Sequence, residues 1–166
     1  MYIKQEVSVQ KVMNDAEAYF AGGYFCSEAL MAAIRENFTL DVTKEVIALT
    51  SGMSALDNQG EGPCGALSSG IMVLGLLFGR MEQDGHNDPR ALKCMDLSHE
   101  LISWFRQNIP EEHSCTREGH ADTCMTEREH KNKCMRATGL CAGKVAEIII
   151  REKHLVNIDE LELRLA

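Results

Sequence analysis

An excess of positive charge is the first thing this sequence lacks: 17 Lys and Arg stand against 25 Asp and Glu over 166 residues, for a formal net charge of −8. Phosphate binding needs concentrated Lys and Arg that release counterions, so this balance argues against a nucleic-acid partner and against an anionic membrane surface. A secretory leader is also missing where one would stand. The stretch "MYIKQEVSVQKVMNDAEAYF" puts charged and polar residues in place of an apolar run, and a cytoplasmic location is the expectation. There is no convincing run of alternating β-branched residues, no internal repeat and no low-complexity tract. There is no phosphate loop or dinucleotide fingerprint either: "GLLFGRMEQDG" lacks the Lys-Ser/Thr pair and a preceding strand. The cysteines show no C-x-x-C for a zinc ribbon or thioredoxin-like dithiol, no C-x-x-C-H for haem and no ferredoxin spacing.

What is present is helical punctuation around one apolar segment. Gly62 to Gly79 carries no charge, yet Pro63, its internal glycines and two serines make it a poor bilayer span, and no second apolar segment exists to pack against it in lipid. A buried central helix explains it better, with Pro63 in its first turn and Gly65, Ser69, Gly75 and Gly79 letting neighbouring backbones approach. Before it, Ser8 caps a helix with an apolar face of Val9, Val12, Met13, Ala16 and Phe20, stopped by Gly22 and Gly23. A second helix starts near Cys26 and Ser27 and carries Leu30, Ala33, Ile34 and Phe38. Asp41 caps a short third one with Val42, Val46, Ile47 and Leu49, and "MSALDNQGEG" is turn material. After the central helix, Asp88 and Pro89 open a helix through Asn108 that buries Leu92, Met95, Ile102 and Phe105, with Cys94 in its core and Trp104 as an anchor. The segment "EEHSCTREGHADTCMTEREHKNKC" is polar, and helix resumes in "CAGKVAEIIIREKHL". The expected fold is a single all-α domain over residues 1–166, a bundle of five or six helices around the glycine-rich apolar one, with a polar Cys/His-rich segment at about 111–141.

Seven cysteines, an odd number, fit free thiols, metal ligands or transient redox partners better than a permanent disulfide framework in such a compartment. Cys26 and Cys64 both fall at helix starts, where free N–H groups and the positive end of the dipole favour an anion by about 0.3–1 kcal/mol. Thiolate is the form that attacks disulfides and ligates metals, and the small residues around Cys64 leave room for a partner sulfur or a cluster. Each cysteine taken alone could equally serve as a small buried hydrophobe. A second constellation runs from His113 to Cys141, where His120 with Cys124 and His130 with Cys134 repeat an i, i+4 spacing that places two ligands on one helical face. Together with Cys115 and Cys141 these form a candidate zinc or iron site, against the plainer alternative of solvated histidines.

The blocks "GGYFCSEALMAAI", "GEGPCGALSSGIMVLGLLFGR", "HSCTRE" and "CAGKVAEII" together resemble the C_GCAxxG_C_C family of redox-active proteins, over about residues 8 to 152. The family pattern falls on Cys26, Cys64 and Cys115, with Cys134 competing with Cys141 for the fourth position. Here Gly65 follows Cys64 rather than preceding it, and Gly70 stands one residue later than the family name prescribes. The resemblance implies redox chemistry without naming a substrate. Two forms are expected: disulfide exchange between Cys26 and Cys64 as the catalytic pair, or electron transfer through an iron-sulfur centre held by Cys26, Cys64, Cys115 and Cys141. The alternative is a non-catalytic metal-binding helical module. A redox partner protein and a homodimer are the associations that would go with it.

Overall fold

The computed structural model describes residues 3–55, 63–109 and 128–165. Seven α-helices lie among the described residues: α1 Val9–Ala21, α2 Cys26–Asn37, α3 Glu45–Thr50, α4 Gly65–Phe78, α5 Pro89–Asn108, α6 Arg128–Lys153 and α7 Ile158–Leu165. A 3-10 turn at Ser51–Ala55 prolongs α3, and two-residue strands β1 Glu6–Val7 and β2 Val156–Asn157 pair in parallel, Glu6 opposite Val156. The fold is all-α, as expected. Five long helices form the body: α6 packs on α1, α2, α4 and α5, while α4 is held between α2, α5, α6 and the 3-10 turn. No described helix is long and apolar enough to cross a membrane.

The helix starts follow their capping residues. The Ser8 hydroxyl accepts from the Lys11 N–H at 2.9 Å and donates to Asp159 Oδ1 at 2.6 Å, so α7 reinforces the start of α1. Val12, Ala16 and Phe20 are buried as the periodicity predicts. Of the two glycines expected to stop α1, only Gly23 is left-handed, at φ +118, because Gly22 still holds a helical conformation. Asp88 caps α5 through the Arg90 N–H at 2.8 Å, with Pro89 in the first turn.

Several expectations are corrected. Helix α4 begins at Gly65, with Cys64 as its N-cap and Pro63 outside. Helix α3 is capped at Lys44 rather than Asp41, and Leu49 is 66 % exposed, since so short a helix offers the core little more than one turn. In α5 the buried stripe is Leu97, Leu101 and Phe105. That spacing of four turns Leu92 and Met95 outward, and both are exposed, while Cys94 is only half-buried. Helix α6 is already formed at Arg128, the first described residue of this segment and well before Cys141, because Cys134, Ala137 and Thr138 supply a buried face that the polar run conceals.

Candidate functional site

The start of α2, the N-cap of α4 and the 3-10 turn meet around two sulfurs. Cys26 is the first residue of α2 and Cys64 the N-cap of α4; both are free cysteines, and Cys26 Sγ packs against Gly65, the neighbour of Cys64. They are buried, at 6 % and 9 % exposure. Gly65 makes this approach possible: a Cβ there would stand 2.8 Å from Cys26 Sγ and 3.2 Å from Ser54 Cα. The small residue beside Cys64 admits a second sulfur, and that sulfur belongs to Cys26.

Polar groups converge on Cys26 rather than on both thiols equally. Its sulfur is 3.6 Å from the Ser54 hydroxyl, which lies 2.8 Å from the Ser27 hydroxyl. With Ser27 donating to Ser54 and Ser54 donating to sulfur, both bonds are satisfied. The Ser69 hydroxyl donates to the Ser27 carbonyl at 2.8 Å, and Ser68 donates to the Cys64 carbonyl at 3.2 Å, tying α4 to α2 and closing its own first turn. The Glu28 carboxylate accepts from the Phe25 N–H at 2.8 Å and from the Ser51 hydroxyl, so the start of α2 is fixed to the 3-10 turn.

Equal thiolate character at the two helix starts does not survive this geometry. Cys26 is pulled down from the ordinary 9.0 to about 7, chiefly by the hydrogen bond from Cys64, with the Ser54 hydroxyl and the Ser27 and Ala66 N–H groups assisting against burial. Cys64 is pushed well above its ordinary value, first by that same hydrogen bond, then by burial and by the charge on Cys26. Two sulfurs in contact hold one negative charge between them, and the one with more donors takes it. The Ala66 N–H, in the first turn of α4, lowers both sulfurs, whereas the Ser27 N–H, in the first turn of α2, and the Ser54 hydroxyl act on Cys26 alone.

A third sulfur stands nearby. Cys141, on α6, is fully buried, and burial followed by the charge of Cys26 raises its pKa far above the ordinary value. Its Sγ would lie 3.7 Å from a Cβ on Gly70, a position also crowded by Leu101 and Val145. Cys134 is buried two turns earlier on the same helix, where its carbonyl accepts from Thr138.

Of the residues expected to bind metal, Cys115, His120 and Cys124 lie outside the described residues, as does His113, while His130 belongs to α6. Among the described residues, no group of three or more His, Cys, Asp or Glu side chains is arranged to hold a metal ion. Cys26, Cys64 and Cys141 therefore do not form a cluster ligand set by themselves, and that expectation rests on Cys115. The residue that sequence reasoning missed is Ser54. Its segment has turn composition, and nothing local signals that its hydroxyl meets a sulfur 28 positions away.

The model of the family described as "Putative redox-active protein (C_GCAxxG_C_C)" matches residues 24–148, a span that includes Cys26, Cys64 and Cys141. No curated protein and no solved structure matches the chain.

Proposed function

The chain belongs to that redox-active family, and from this premise we propose that Cys26 and Cys64 are its working couple, cycling between a dithiol and an intramolecular disulfide. The supporting observation is that Cys26 Sγ packs against Gly65, the neighbour of Cys64, and that the two thiols are shifted in opposite directions, Cys26 down to about 7 and Cys64 up. Disulfide formation needs a thiolate to attack and a second sulfur within bonding reach, and the pair supplies both. Ser54 holds the thiolate, and Gly65 leaves the space in which the sulfurs meet. As the S–S bond forms, the two thiols give up two electrons and two protons to an external two-electron oxidant, and two equivalents of an external thiol return them on reduction.

The cysteine set Cys26, Cys64, Cys115 and Cys141 has the soft thiolate donors that an iron-sulfur centre takes. Such a group would supply one-electron transfer, with Cys26 and Cys64 as its ligands from α2 and α4.

Equilibrating the protein in a dithiothreitol redox buffer, alkylating the remaining thiols and mapping the peptides tests the proposal. A Cys26–Cys64 cross-link that appears and disappears reversibly as a two-electron couple is the expected result, lost in Cys26→Ser and in Cys64→Ser. Finding both positions alkylated under oxidising conditions, or joined only to other cysteines, would overturn it.

A further inference from the structure

Access decides what can oxidise this pair. Both cysteines are buried, at 6 % and 9 % residue exposure, and exchange with a protein disulfide requires a bulky S–S bond to reach the attacking sulfur. A solute of two oxygen atoms needs far less room. Around Cys26 Sγ stand the donors such a solute requires as its oxygens gain charge: the Ser54 hydroxyl at 3.6 Å and the N–H groups of Ser27 and Ala66. On the same sulfur sits a second thiol, Cys64. Resting on the Cys26–Cys64 couple proposed above, we propose that the oxidant is a small hydroperoxide and the reductant a low-molecular-weight thiol, making the protein a thiol-dependent peroxide reductase.

Atoms and electrons balance at each step. The Cys26 thiolate attacks one peroxide oxygen, the S–O bond forms and the O–O bond breaks. The departing hydroxide takes the proton of Cys64 and leaves as water. Cys26 is now a sulfenic acid, and Cys64 a thiolate in contact with it. That thiolate attacks Cys26 Sγ, expelling hydroxide, which a solvent proton converts to a second water. Two electrons have passed from the sulfurs to the peroxide. Two molecules of the low-molecular-weight thiol then reduce the Cys26–Cys64 disulfide and leave as their own disulfide.

The test mixes anaerobically reduced full-length protein, near neutral pH, with an equivalent of hydrogen peroxide in one arm and of insulin, a protein disulfide, in the other. Peptide mapping follows quenching, and peroxide loss is assayed alongside. The expected result is one peroxide consumed per Cys26–Cys64 cross-link, with turnover when glutathione is added, and little cross-link in the insulin arm. Cys64→Ser should stop at a Cys26 sulfenic acid trapped by dimedone. Ser54→Ala, which keeps both sulfurs, should slow peroxide loss about tenfold. Cross-linking by insulin but not by peroxide would overturn the peroxide assignment and leave the couple intact. No cross-link in either arm would overturn both.

Discussion

Removing the hydroxyl of Ser54 isolates one donor of the site. Ser54→Ala deletes the bond to Cys26 Sγ and leaves the hydrogen bond from Cys64, so the Cys26 midpoint should rise from about 7 to about 8, as one bond to a charged group is worth roughly 1.5 kcal/mol. The pH profile of Cys26 alkylation measures this directly. The two cysteines are legible in the sequence because each stands at a helix start marked by glycine or proline: Gly22-Gly23 ahead of Cys26, Pro63 ahead of Cys64. Their unequal protonation is not legible there. It arises from contact between sulfurs 38 positions apart, from Cys26 to Cys64, and from a hydroxyl contributed by a third segment. The helix-end field alone would treat the two alike.

The start of α4 sits too close to α2 for any side chain but hydrogen at position 65. Gly65→Ala would press a methyl group against Cys26 Sγ and the Ser54 backbone, which should cost about 1–3 kcal/mol on urea unfolding of the reduced protein and lower the yield of the Cys26–Cys64 cross-link. Helix C-termini respond in the opposite direction. Thr39 and His154 adopt φ 51 and 53, where the Leu40 N–H reaches the Arg35 carbonyl and the Leu155 N–H that of Ile150, both at 2.9 Å. Both residues are exposed, so Thr39→Gly and His154→Gly relieve left-handed strain without loss of packing, and each should stabilise by up to about 1 kcal/mol in the same assay. Helix starts announce themselves at Ser8 and Asp88, whereas these two ends, built without glycine, give no signal. The stripe of α5 is misplaced by sequence reasoning because two apolar spacings coexist on it, and only the neighbouring helices select Leu97, Leu101 and Phe105.

For the molecule as a whole, the three sulfurs give reduced protein a distinctive stability profile. Cys26 ionises at about 7 when folded, against an ordinary 9.0, so between those values the unfolded chain binds more protons and stability rises with pH, by about 1.4 kcal/mol per unit at most. This contribution is complete above 9.0 and is lost as pH falls through 7. Cys64 and Cys141 are raised, so above 9.0 the unfolded chain releases protons that the folded one retains, and stability falls. Measured as the difference from Cys26→Ser, the thermal stability of reduced wild type should therefore increase between pH 7 and 9.0, and that gain should be lost below pH 7. The all-α class is legible in the helical punctuation, while the parallel β1–β2 pair is not, because two residues per strand are too few to show a period. The central claim, that Cys26 and Cys64 act as one unit with a single shared proton, is tested most directly by site-resolved alkylation against pH in wild type and Cys64→Ala. The expected result is a Cys26 midpoint of about 7 that moves up toward 9.0 when Cys64 is removed, with Cys64 itself unreactive across that range. Midpoints at or above 9.0 for both thiols, each indifferent to loss of the other, would contradict it.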